Sequence, residues 1–131
     1  MLQVSTGRIG EHIACAAIEL NGWQTVHCPA RGFDLVVIKG ENILRCQVKA
    51  SNYHRLPRNR LQFHFGIGGK KRRPTRDDYD FAACVSIPHR RVYFMPIQDI
   101  HLVTFSTNSE LFEDGKEKQS FIETMEKLHA R

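Results

Sequence analysis

With 131 residues, 41% of them hydrophobic, the chain is near the usual size of one domain and has ample apolar material for one core. Its formal net charge of +5 points to an acidic partner. No run approaches the ~20 apolar residues of a membrane span, and no apolar N-terminal run has a basic flank, so a protein that is neither membrane-bound nor secreted is expected. One domain over residues 1–131 is expected, without linker, repeat or low-complexity segment. Cys15, Cys28, Cys46 and Cys84 show no zinc spacing and sit in apolar patterns, which predicts buried thiols in a reducing cytoplasm. The histidines form no metalloprotease or zinc-finger pair, and surface or core roles are expected for all of them.

The first element is a helix over residues 6–20. Ile9, Ile13, Ala16, Ala17 and Leu20 recur at helical spacing, Ser5 or Thr6 can cap it, and Asn21-Gly22 stops it. Arg8, His12 and Glu19 share its polar face, whereas Glu11 falls off that face toward Ala14 and Ile18. Residues 24–29 read as a strand. Residues 33–38, a turn at 39–42 and residues 43–49 then read as strand, turn, strand.

On the second of those strands Gln47 and Lys49 are two apart, so the pleat points both to one face and Val48 to the other. An antiparallel return brings Asp34 near the pair, so an acid, an amide oxygen and an ammonium converge beside a sheet. Residues 43–48 are mostly apolar and suit an interior strand, where a lysine is costly to bury unless paired or functional. A hard cation such as Mg2+ wants oxygen ligands, which Asp34, the Gln47 amide and a strand carbonyl can supply. Lys49 then stands beside the open positions, able to orient a water or stabilise charge on a scissile phosphate. Glu11, with small neighbours Gly7, Ala14 and Cys15, can hold a second ion or an outer-shell water.

A helix carrying Glu, a strand ending in Pro, Phe33-Asp34, a turn and Gln47-Val48-Lys49 resemble the core of the PD-(D/E)XK nuclease superfamily. Within it the chain is most similar to the compact homing endonuclease type of cyanobacterial group I introns, and more distantly to archaeal Holliday-junction resolvases. The resemblance is strong over residues 5–52 and weaker over 77–100, where Tyr79-Asp80-Phe81 and residues 92–96 suit the remaining core strands. It implies a restriction-endonuclease-like α/β fold with a central mixed sheet of about five strands flanked by helices. It also implies Glu11, Asp34, Gln47 and Lys49 as the catalytic set, with Asp34, Gln47 and Glu11 as metal ligands, Mg2+ as cofactor and Mn2+ able to substitute. The departures are Phe33 before the aspartate and Gln47 where a carboxylate is usual, the latter removing one negative charge from the metal site.

Residues 45–91 hold twelve Lys or Arg against three Asp, a local balance of +9. Arg55, Arg58 and Arg60 lie among Tyr53, Leu56 and Phe63. Lys70, Lys71, Arg72, Arg73 and Arg76 follow a glycine-rich loop, and Arg90-Arg91 suits a hairpin turn. Such basic loops neutralise phosphates, so the first eight of these cations are the expected DNA contacts. Pro74 and the lack of a complete phosphate-loop motif argue against nucleotide binding. Residues 59–65 alternate as a strand with one apolar face. Phe121, Ile122, Met125 and Leu128 mark a stripe on a helix over 116–129, expected to pack on the sheet or else on a second subunit.

The combined expectation is a metal-dependent endonuclease acting on double-stranded DNA, of the site-specific homing kind. The alternatives are a structure-selective nuclease and a catalytically silent nucleic-acid-binding module. Two strands to cut and one active centre per chain lead to an expected dimer or pair of dimers.

Overall fold

The computed structural model describes residues 5–28, 32–52 and 60–129. In chain order the elements are α1 (Thr6–Leu20), β1 (Gln24–His27), β2 (Leu35–Lys39), β3 (Asn42–Ser51), β4 (Leu61–His64), β5 (Phe81–Ser86), β6 (Arg91–Pro96), β7 (Thr104–Thr107) and α2 (Lys116–His129). Short 3-10 turns at Ile97–Asp99 and Ser109–Phe112 flank β7. The main sheet has five strands in the order β1-β2-β3-β5-β6, and β4 with β7 forms a second, two-stranded sheet. β3 and β5 run parallel and the other neighbours antiparallel, so the sheet is mixed, as expected.

Every residue of β5 is buried because the strand is covered on both faces. Phe81, Ala83 and Val85 face α1 and α2, in a core with Ala14, Ala17, Ile18, Val48, Phe94, Phe121 and Leu128. Ala82 and Cys84 face the other way, toward Leu61 and Phe63 of β4, Phe65, Tyr79, Ile100 and Phe112. β3 obeys the same alternation. Cys46 and Val48 point to the helices, which leaves Gln47 and Lys49 on the opposite face.

The buried stripe of α1 differs from the expected one. Gly10, Ala14, Ala17 and Ile18 are buried, whereas Ala16 is exposed and Leu20 is 85% exposed. Small residues win that face because the helix lies close on β3: a β-carbon on Gly10 would come within 2.6 Å of the Ala50 β-carbon. Ser5 occupies the N-cap without a side-chain cap bond, and Gly22 leaves the helix at φ 90°.

α2 covers the outer edge of β6 as well as the sheet face. The Val92 N–H donates to Glu117 Oε1 (2.8 Å) and the Phe94 N–H to Ser120 Oγ (3.0 Å). Phe121 and Leu128 are buried and Met125 packs against them, while Ile122 is left 44% exposed. The stripe therefore belongs to the core rather than to a second subunit, apart from Ile122. All four cysteines are free; Cys46 and Cys84 are buried, but Cys15 and Cys28 are only half-buried, against expectation, because both lie near the thinly covered β1 edge. No helix among the described residues is long and apolar enough to cross a membrane.

Candidate active site

Asp34 immediately precedes β2 and extends its ladder. The Asp34 N–H donates to Cys46 O (3.0 Å), the Cys28 N–H donates to Asp34 O (2.8 Å), and Leu35 pairs with Cys46, so Asp34 stands opposite Gln47. The Val48 N–H donates to Asp34 Oδ2 at 2.8 Å, fixing the carboxylate beside β3 and leaving Oδ1 to other partners. Asp34, Gln47 and Lys49 thus share one sheet face, as their spacing predicts.

Burial raises the Asp34 pKa above the ordinary carboxylate value. The Val48 N–H opposes that rise, the Glu11 charge adds to it, and Lys49 and His27 oppose it. A half-buried acid beside a second acid is an environment that a cation would relieve.

Gln47 Oε1 is buried and has no hydrogen-bond partner among the described residues. Such an oxygen costs about 1–3 kcal/mol if nothing meets it. No group of three or more His, Cys, Asp or Glu able to hold a metal occurs among the described residues. The oxygen set on hand is instead two carboxylates and one amide. The orphaned amide oxygen opposite Asp34 fits a hard cation, which takes neutral oxygen ligands alongside carboxylates.

Glu11 approaches from α1. Its Oε1 lies 3.2 Å from His27 Nδ1, and its charge acts on Asp34. His27 is the neighbour that sequence reasoning missed. Its only signal was its place at the end of a short strand, two residues after Thr25 on the same strand face.

The basic residues separate by what they touch. Arg60 is engaged within β4 and β7, its Nε donating to Ser106 Oγ (3.0 Å) and a terminal NH2 to Ser106 O (2.8 Å). Arg72 makes a two-pronged pair with Asp78 at 2.8 and 2.9 Å. This pair holds the Asp78 carboxyl down to about pH 2. Lys70, Lys71, Arg73 and Arg76 are exposed around a turn closed by the Ile67–Arg72 bridge, where Gly68 and Lys71 adopt φ 76° and 53°. Arg55 and Arg58, with Tyr53 and Leu56, lie outside the described residues. Arg91 opens β6 and binds Phe112 O and Asp114, so of the expected hairpin pair only Arg90 sits in the turn.

Arg45 ties the basic segment to the sheet that carries Gln47. Its guanidinium bonds Asp80, Asp77 O (3.1 Å) and Arg76 O (2.5 Å), while its backbone N–H donates to Asp80 Oδ2 (2.7 Å).

No protein-family model matches the chain, and no curated protein does. Two solved structures are similar in fold. The bacterial homing endonuclease I-Ssp6803I superposes with a TM-score of 0.73 at 17% identity, over 96% of this chain and 95% of that one. The Holliday junction resolvase Hjc of the archaeal hyperthermophile Archaeoglobus fulgidus superposes with a TM-score of 0.53 at 14% identity, over 82% of this chain and 88% of that one. Both are PD-(D/E)XK-type nucleases, and the chain has their fold.

Proposed function

We propose that the chain is a Mg2+-dependent endodeoxyribonuclease of the site-specific homing kind, with residues 1–131 as one nuclease domain working in the cytoplasm. The observation that carries this reading is the buried Gln47 Oε1, without a partner among the described residues, opposite the half-buried Asp34. Asp34 through Oδ1, Gln47 through Oε1 and Glu11 are the residues that would hold the ion. A bound Mg2+ would supply Lewis-acid stabilisation of the charge that builds on the scissile phosphate. Lys49, on the same face, donates hydrogen bonds from Nζ to orient the attacking water and offset charge on the phosphate. The exposed Lys70, Lys71, Arg73 and Arg76 neutralise backbone phosphates to either side. Near-complete mutual coverage with a homing endonuclease supports that kind of nuclease over others. Cutting both strands is most simply done by a dimer or a pair of dimers.

The similarity to a Holliday junction resolvase keeps structure-selective cleavage as the second reading. The test incubates purified protein with linear duplex libraries and with synthetic four-way junctions, in Mg2+, Mn2+, Ca2+ or chelator. Cuts at a defined duplex sequence that need Mg2+ or Mn2+ support the first reading. Cuts confined to junctions support the second. Duplex binding without cut ends under any metal would mean that Gln47 has left a binding module.

A further inference from the structure

α1 and β1 are matched along their lengths by side chains of which the proposed reaction uses only Glu11. Glu11, Cys15 and Glu19 recur every four residues and form one stripe of α1. Thr25 and His27 alternate onto one face of β1. The two rows meet: Thr25 Oγ1 donates to Glu19 Oε2 (2.5 Å), His27 Nε2 lies 3.8 Å from Cys15 Sγ, and His27 Nδ1 lies 3.2 Å from Glu11 Oε1.

Burial raises the Cys15 pKa, and Cys15 Sγ packs against the Nε2 edge of the ring. A carboxylate oxygen only accepts, so Nδ1 carries a proton and donates to Glu11 Oε1. Among the described residues Glu11 Oε2 has no hydrogen-bond partner, so one oxygen of the carboxylate is clamped and the other is available. The charges of Glu11 and His27 both act on Asp34, which places the pair beside the site.

We propose that His27 is a positioning residue that presents Glu11 to a divalent cation. This rests on the metal-dependent reading above and adds a residue to it. The role is that of a histidine or carboxylate behind a metal ligand, whose loss typically lowers metal affinity by about 10–100-fold.

The test is Mn2+ binding in the absence of DNA, with free Mn2+ counted by electron paramagnetic resonance. His27→Ala is expected to weaken binding about tenfold or more. His27→Asn, whose Nδ2 can stand where Nδ1 stood, should recover most of it. In a Glu11→Gln background, His27→Ala should have no further effect, because the coupling runs through the carboxylate. The proposal is overturned if His27→Ala binds like wild type while Asp34→Ala loses Mn2+, or if His27→Ala weakens binding equally with and without Glu11. Wild-type binding by Asp34→Ala would overturn the metal reading itself, and this inference with it.

Discussion

Gly10 of α1 lies so close to Ala50 of β3 that a β-carbon on the glycine would stand 2.6 Å from the alanine's. The chain neighbours of this contact are Glu11 and Lys49, so this close approach of helix to sheet also bears on the distance between two proposed catalytic side chains. Gly10→Ala gains about 1 kcal/mol of helix propensity. It also forces an overpacking cost of about 1–3 kcal/mol, and a contact well inside van der Waals distance belongs at the upper end. A net loss of stability is expected, seen as a lower urea midpoint, together with a larger loss of cleavage as α1 is lifted. A variant as stable as wild type would show that the helix has room to move.

Asp34 and Lys49 serve chemistry more than docking in the proposed mechanism. Asp34→Ala and Lys49→Ala should each abolish cleavage while duplex affinity, measured by anisotropy in Ca2+, stays within a few-fold of wild type. Cutting at a near wild-type rate by either variant would remove that residue from the mechanism.

Gln47→Glu adds a second carboxylate opposite Asp34. Two adjacent acids raise one another's pKa, so the metal-free protein should lose stability at neutral pH and regain it with Mn2+. Thermal midpoints with and without Mn2+ check this. The same shift as wild type on adding Mn2+ would place position 47 away from the ion.

The basic turn should act through its exposed cations. Neutralising Lys70, Lys71 and Arg73 together is expected to shallow the slope of log affinity against log salt by up to ~0.9 for each lost phosphate contact. Arg72→Ala should change that slope less and stability more, because its guanidinium is engaged with Asp78. Equal slopes in wild type and triple variant would put the turn off the DNA.

The Arg72–Asp78 pair also has a pH signature. Hydrogen bonds from Arg72 hold the Asp78 pKa at about 2, below the roughly 3.9 of an unfolded aspartate. A depressed acid stabilises the fold above its unfolded pKa and loses that contribution as pH falls through its folded one. The gap in urea midpoint between wild type and Asp78→Asn should therefore be present at pH 6 and close as pH falls from about 4 to 2. A gap unchanged at pH 2.5 would mean the side chain acts through packing instead.

Much of this arrangement was legible in the sequence because it is local. The bounds of α1 and α2 follow from caps and spacing, and the Asp34–Gln47–Lys49 face follows from two-residue alternation across a single short turn. What was not legible depends on contacts between distant segments. Which side of α1 is buried was misjudged because hydrophobicity favours Ile13 and Leu20, whereas the sheet selects for small size at Gly10, Ala14 and Ala17. His27 could not be linked to Glu11 until β1 was laid against α1. The division of the cations, with Arg60 and Arg72 tied to Ser106 and Asp78 while Lys70 and Lys71 are exposed, likewise has no counterpart in charge spacing.

The side chains of Glu117 and Ser120 on the outward N–H groups of β6 bear on how the chain survives its own folding. A strand edge with open donors is a template for another chain's strand. Here the cover is an element that follows β6 in sequence, so a chain whose sheet has formed but whose α2 has not docked presents both a sticky margin and the bare apolar patch of Phe94 and Val92. Such a chain, rather than the finished protein, would be the vulnerable species. A proteolytic nick before Lys116, though far from Asp34 in sequence, would return the molecule to it, with clumping rather than slow catalysis as the first symptom.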